Sequence, residues 1–205
     1  PTSGRVFFKG EDVTKRTAAQ RRHIGRVISV VFQDPATALN ARMTIHDQLM
    51  DPMLVHKVGD KISREKRVQE LIGMVGLPSS ALDALPGQLS GGQRQRVAIA
   101  RALSLSPDAI IADEPTSALD VSVRAQILNL LMDLKKDLGL AMVFISHDIQ
   151  TVRYISDRII VMNKGQAVER GTAEQVFNNP KDEYTRLLLG AAPSLLHPDL
   201  GKPQN

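Results

Sequence analysis

Leu89-Ser90-Gly91-Gly92-Gln93 runs without a break into Arg94-Gln95-Arg96-Val97-Ala98-Ile99-Ala100-Arg101-Ala102-Leu103, and this stretch decides the fold. Two adjacent glycines after a serine free the backbone to approach a ligand and to take positive φ. The residues behind them hold no glycine or proline until Pro107 and are rich in Ala, Arg, Gln and Leu, which predicts a helix. Ser90 then reads as the N-cap. Val97, Ala98, Ala100, Arg101 and Ala102 give the helix a small-residue face suited to close packing. A helix N-terminus carrying a serine and two glycines is well made for phosphate. Taken alone, Ser-Gly-Gly is more often the cap of an ordinary surface helix.

Downstream, Asp108–Asp113 (DAIIAD) reads as a buried strand ending in Asp113-Glu114-Pro115-Thr116. Adjacent carboxylates at a strand end are costly to bury without partners. They suit a division of labour in which Asp113 helps hold Mg²⁺ and Glu114 polarises a water as general base; the bland alternative is a pair of exposed acids in a loop. Ser117-Ala118-Leu119-Asp120 follows, then a long amphipathic helix over Val121–Leu138 closed by Gly139. Ala141–Ser146 (AMVFIS) reads as a third buried strand, with His147 and Asp148 at its end. A lone histidine is usually structural or exposed, but this position favours a role on a γ-phosphate. Arg158–Met162 and Gln166–Glu169 flank the hairpin signal Asn163-Lys164-Gly165. Short helices are expected over Thr172–Phe177 and Glu183–Leu189, then a proline-punctuated, poorly ordered tail from Ala191.

Upstream, Pro35 to Gly87 is helical in pattern. Ile45, Leu49, Met53 and Leu54 recur at helical spacing with Pro52 as a kink, and Val68, Leu71, Ile72 and Val75 share one face of a helix expected to start at a capping box on Ser63. This is a helical lobe inserted into a sheet domain, its methionines reading as core filler. Before it, Val27–Gln33 (VISVVFQ) has the pattern of a strand buried on both faces, placing Gln33 at a carboxyl end, where open parallel sheets bind ligands. Lys15–Arg26 carries Lys15, Arg16, Arg21, Arg22 and Arg26. A run like this can meet phospholipid or nucleic acid, and is more often a solvated face. Gly4–Lys9 reads as a short strand closed by a turn at Gly10.

The 205 residues are enough for one large domain or two lobes. The absence of cysteine rules out disulfides and thiolate chemistry. Net charge is +4, with Lys+Arg 26 against Asp+Glu 22, too mild to demand nucleic acid, and with no Trp and two Tyr there is little for base stacking. No apolar run approaches the roughly 18 residues of a membrane span. These features imply a soluble, cytoplasmic α/β domain.

VFQDP, LSGGQRQR, IIADEPTSALD and ISHD, in this order and spacing, resemble the motif set of ABC-type ATPases. The resemblance implies a P-loop NTPase (RecA-like) parallel sheet with an inserted α-helical subdomain. It makes Gln33 the Q-loop glutamine that contacts Mg²⁺ and the attacking water, and His147 the switch histidine. Leu89, Ser90, Gly91, Gly92 and Gln93 form the signature that faces ATP across a dimer, and Asp120 belongs to the D-loop. The cofactors implied are ATP and Mg²⁺. Pro35-Ala36-Thr37-Ala38-Leu39-Asn40 and the ending Asn179-Pro180…Tyr184-Thr185-Arg186-Leu187-Leu188 look like the ATPase subunits of dipeptide, oligopeptide and nickel importers. Some relatives carry a cysteine cluster near this end; an iron–sulfur site is excluded here. The partners implied are a second ATPase subunit, identical or not, transmembrane permease subunits and, indirectly, a solute-binding protein, with no nucleic acid expected. The location implied is cytoplasmic, peripheral on the inner face of the cell membrane. Residues Asp34–Lys57 would hold the groove for the permease's coupling helix.

The resemblance lacks one part. A P-loop needs GxxxxGK[ST], and the sole Gly-Lys pair, Gly201-Lys202, precedes Pro203. Pro1-Thr2-Ser3-Gly4 looks like the segment just after a P-loop helix, so the expectation is a partial sheet without the P-loop strand and helix, truncated ahead of residue 1. By resemblance that strand would lie between Ala141–Ser146 and Arg158–Met162, so its loss implies two unpaired edges, and hence self-association or a sheet that closes the gap. The expected segments are 1–34 and 107–178 for the two parts of the sheet core, 35–106 for the helical subdomain and 179–205 for the C-terminal extension. Three functions stay open: the ATP-hydrolysing subunit of a peptide-type importer, a soluble ABC protein of translation or DNA repair, and a non-catalytic scaffold.

Overall fold

The computed structural model describes residues 3–191, so the expected tail lies almost wholly outside the described residues. The chain divides into two compact units, Pro1–Ile145 and Ser146–Asn205.

The first unit opens with a small hairpin, β1 (Phe7–Phe8) and β2 (Glu11–Asp12). Its turn places Lys9 at φ 49° and Gly10 at φ 85°, the two positive-φ residues that match strand twist in tight hairpins. Helix α1 (Ala18–Val27) follows, with Thr17 as N-cap in a reciprocal box with Gln20. It feeds β3 (Ile28–Val31). Four helices come next: α2 (Pro35–Ala38), α3 (Ile45–Val55), α4 (Lys61–Met74) and, after two 3₁₀ turns, α5 (Gly91–Ala102). The chain then returns through β4 (Ala109–Asp113), α6 (Val121–Leu138) and β5 (Ala141–Ile145).

Strands β3, β4 and β5 form a parallel sheet in that order. Val31 pairs with Ala112 and Ala112 with Phe144, while Val30 pairs with Ile111 and Ile111 with Val143. The first row lies on the buried side, where Val31, Ile110 and Ala112 are inaccessible. The second row does not. Val30, Val143 and Ile145 are exposed, and so is Phe32 just beyond β3. The sequence pattern implies strands buried on both faces; among the described residues the helices cover only one. A parallel sheet ordinarily has helices on both faces, and a run of apolar residues shows only that both faces are apolar.

The helical lobe has its own core. Ile45, Leu49 and Met53 of α3 meet Val68, Leu71 and Ile72 of α4 and Val97 and Ile99 of α5, all at most 2 % exposed. Each such burial is worth about 1.5–3 kcal/mol. Pro52 sits inside α3, which continues past it. Helix α4 starts earlier than the capping box expected on Ser63: Asp60 is the N-cap, and Ser63 is the N3 residue that returns its hydroxyl to the Asp60 N–H. Aspartate is a strong cap and serine can serve either role, so spacing alone favoured the wrong one.

The second unit holds α7 (Ile149–Ile155), the antiparallel hairpin β6 (Arg158–Asn163) and β7 (Gln166–Thr172), α8 (Ala173–Asn178) and α9 (Glu183–Ala191). Its turn is the expected one, with Lys164 at φ 48° and Gly165 at φ 80°. Among the described residues β5 pairs only with β4 and β6 only with β7.

Candidate functional site

The carboxyl ends of β3 and β4 bring two polar side chains together. Gln33, just past β3, donates from Nε2 to Glu114 Oε2 at 3.0 Å. Glu114 directly follows Asp113, the last residue of β4, which is exposed. The Glu114 backbone is at φ 45°, a left-handed conformation that costs an L-residue with a Cβ roughly 1–2 kcal/mol. The fold holds it there from both sides. Its N–H donates to Ile145 O at 2.9 Å, and its carbonyl accepts from Ser117 N–H at 3.2 Å and Ser117 Oγ at 3.1 Å. A strained turn that aims a carboxylate at an amide across adjacent strands suits a reacting group.

The signature stretch caps its helix as the sequence implies. Ser90 Oγ accepts from Gln93 N–H at 3.2 Å and Gln93 Oε1 accepts from Ser90 N–H at 2.9 Å. The serine hydroxyl is thus engaged by its own helix. Leu89 is buried and Ser90 is exposed. Neither Gly91 nor Gly92 has positive φ, contrary to the conformational freedom read from the pair. Packing explains them instead. A Cβ on Gly92 would stand 2.6 Å from Val123 Cγ1, whereas one on Gly91 would meet Leu119 Cδ2 at an ordinary 3.7 Å. Leu119 leads into Asp120, the exposed N-cap of α6, whose side chain makes no capping bond. The start of α5 therefore sits against the start of α6.

Three arginines of α5 were not singled out as structural by the sequence. Arg94 Nη1 donates to Leu89 O at 2.6 Å, Arg96 Nη1 to Val75 O at 2.7 Å, and Arg101 Nη1 to Ala38 O at 2.6 Å. The last ties the signature helix to α2, directly after the Gln33 loop. Arginines recurring on a helix that is otherwise largely buried and uncharged are the signal that could have revealed them.

His147 belongs to the second unit, two residues past Ile145, and is exposed. The next residue, Asp148, caps α7 by accepting from Gln150 and Thr151 N–H and from Thr151 Oγ1. This fixes the direction in which the chain leaves His147.

Among the described residues no three His, Cys, Asp or Glu side chains gather into a ready-made metal cage. Mg²⁺ bound beside phosphates needs only one or two protein ligands, and the exposed Asp113 carboxylate with the amide of Gln33 supplies suitably hard oxygen donors. The phosphate cradle itself is not in these 205 residues, which contain no GxxxxGK[ST]. Among the described residues no helix is long and apolar enough to cross a membrane.

Comparison with known proteins agrees with this geometry. The family model described as "ABC transporter" matches residues 1–117. The dipeptide transport ATP-binding protein DppF of Escherichia coli is 47% identical over 97% of this chain and 59% of its own length. The oligopeptide transport ATP-binding protein OppF of Lactococcus lactis is 45% identical over 95% of this chain and 61% of its own. The chain thus spans about three fifths of the length of the curated relatives it matches. Among solved structures, the ATP-binding cassette MJ0796, a post-hydrolysis dimer bound to ADP and Pi, is similar with a TM-score of 0.73 at 34% identity, covering 84% of this chain and 75% of that one. CbiO1 from Clostridium perfringens, part of the ABC transporter complex cbiONQ, gives 0.77 at 30% identity over 87% and 70%. The strand-end amide and carboxylate, the capped signature helix and these likenesses lead to one placement: the chain belongs to the ABC transporter family, with the fold of its ATPase domains.

Proposed function

We propose that this chain carries the hydrolytic and signature portions of the ATP-binding subunit of an importer for peptides or a related solute. The observation that carries the reading is the Gln33–Glu114 hydrogen bond at the carboxyl ends of adjacent parallel strands. Glu114 is the proposed base: its carboxylate takes a proton from water, with Gln33 fixing its orientation through Oε2. Asp113 and Gln33 hold Mg²⁺, which when bound neutralises phosphate charge. His147 is assigned to the γ-phosphate, and Leu89, Ser90, Gly91, Gly92, Gln93 and Asp120 to the nucleotide held by a second ATPase subunit.

Coupling to the permease is assigned to the segment after Gln33. A groove of about 360 Å³ there is lined by Phe32, Ala38, Pro52, Val55 and Ala98 among others, and Phe32 and Val55 are exposed. Asp51, His56 and Arg101 also line it, so an amphipathic helix from a permease fits that mixed lining. These assignments place the protein on the inner face of the membrane, with a solute-binding protein as indirect partner.

The test uses the full-length gene product assembled with its permease. Glu114→Gln is expected to keep nucleotide binding and to lower turnover by about 10²–10⁴-fold, the usual worth of a general base. Turnover within threefold of the parent, on this scale, would remove Glu114 from that role.

A further inference from the structure

Helix α1 is built against local electrostatic rules. It has no acidic residue in its first turn, and Lys15 and Arg16 stand just before its N-cap, at the positive end of the helix dipole, where cations are unfavourable. Arg22 and Arg26 are four residues apart and so lie on one stripe, a like-charge pairing that weakens a helix. Lys15, Arg16, Arg21, Arg22 and Arg26 are all exposed. Among the described residues none of them joins an ion pair within 4.0 Å; the nearby Lys9 pairs with Asp108 instead. The inner side of α1 is made by Gln20, Ile24 and Val27, each half-buried. The outer side intersperses Arg22 and Arg26 with Ala18 and Ala19, all exposed. Small residues beside the arginines let a flat surface come close to every guanidinium.

Thr17 caps the helix and Arg26 sits favourably in its last turn, but among the described residues no acidic side chain pairs with Lys15, Arg16, Arg21 or Arg22, and an unanswered basic face points to a partner outside the protein. We propose that the outer face of α1, with Lys15 and Arg16, is a contact site for anionic phospholipid headgroups. The phosphates of nucleic acid would also attract arginines. Two observations favour the bilayer: α1 carries no Phe, Tyr or Trp and its one ring, His23, is engaged edge-on with Phe8, leaving little for base stacking, and the function proposed above, on which this inference rests, sets the chain beside a membrane. A basic residue close to an anionic bilayer strengthens binding by about fivefold. The contact is electrostatic and not inserted, so salt weakens it.

Flotation of the 205-residue chain with vesicles tests the site. Phosphatidylglycerol–phosphatidylcholine vesicles are expected to carry the protein at low salt, and pure phosphatidylcholine vesicles to leave it behind. Replacing Arg21, Arg22 and Arg26 together by Gln is expected to lower the partition coefficient roughly 100-fold. Replacing the same three by Lys is expected to retain most of it, and an unchanged circular-dichroism spectrum for both variants keeps misfolding out of the comparison. Equal flotation of the parent and Gln variants overturns the proposal, as does absence of flotation on anionic vesicles. Duplex or single-stranded oligonucleotides that bind α1 more tightly than the vesicles also overturn it, in favour of nucleic acid. The vesicles contain neither permease nor nucleotide, so failure here leaves the Glu114 test standing, and failure of that test leaves this one readable.

Discussion

Gln33 Nε2 and Glu114 Oε2 lie 3.0 Å apart although their residues are separated by 81 positions in the chain. The inserted lobe returns the chain beside its starting strand, and the amide then reaches the carboxylate. If that bond orients the base, removing it lowers turnover without removing the base. Gln33→Ala in the full-length, assembled protein removes the bond to Glu114 together with the Mg²⁺ donor proposed above, and is expected to reduce kcat by at least about 10–100-fold while leaving affinity for Mg²⁺-free nucleotide unchanged. Nucleotide affinity measured without turnover separates this from a binding defect, and a fall in affinity matching the fall in kcat argues against a positioning role.

The two signature glycines should separate by experiment. Gly92→Ala drives a methyl group to 2.6 Å from Val123 Cγ1, an overpacking expected to cost about 1–3 kcal/mol. Gly91→Ala meets only ordinary contact and is expected to leave stability nearly unchanged. Denaturant unfolding of both variants, and of Gly92→Ala combined with Val123→Ala, checks the cause. Failure of the second change to restore stability would locate the role of Gly92 elsewhere.

A pH effect is built into the helical lobe. His46 on α3 offers Nε2 to Glu65 Oε2 of α4 at 2.9 Å and Nδ1 to Asp47 Oδ1 at 3.2 Å. The Glu65 contact chiefly holds the imidazole pKa above its ordinary 6.5, against partial desolvation. The hydrogen bond from His46 in turn lowers the Glu65 pKa. The histidine contribution is complete below the unfolded pKa near 6.5 and is lost as pH rises through the higher folded value. The Glu65 contribution is lost only in acid, as pH falls through its depressed folded value. Thermal unfolding between about pH 6 and 8 should therefore show a decline with rising pH that Glu65→Gln flattens. Identical slopes in parent and variant would dismiss the pair as a source of pH dependence.

The 205-residue chain alone is expected to bind Mg-ATP weakly. A P-loop gives several bonds to charged phosphate oxygens, each worth roughly 1.5–3 kcal/mol, so lacking three removes about 5–9 kcal/mol. Micromolar affinity amounts to only about 8 kcal/mol. Calorimetry decides the matter: a low-micromolar dissociation constant with one-to-one stoichiometry would show that this chain assembles a phosphate site by another route.

The sequence revealed the elements that depend on short-range chemistry. Ser90 as N-cap, a short helix after Gly171 (Ala173–Asn178, one residue later than expected at each end) and the Lys164-Gly165 turn all formed as their residue types require. The nearness of Gln33 to Glu114 was readable only through the order of the motifs, because no local rule relates residues on separate strands. The reason for Gly92 was hidden for the same cause: its constraint is Val123, on a different helix. The uncovered sheet face escaped because apolarity reports what a strand can bury, not whether a cover is present.

The insertion of the helical lobe between neighbouring strands also orders the assembly of the fold. β4, α6 and β5 are consecutive and can pair through a crossover that holds one helix, whereas β3 can join them only by closing the much longer segment that contains α2 to α5. Closing a longer loop costs more entropy, and distant contacts form slowly. Glu114 can take its place beside Ile145 while β3 is still apart, but Gln33 reaches it only when the lobe has returned. The bond between them therefore marks the completed fold: it can form only once the inserted lobe has folded and brought β3 back to β4.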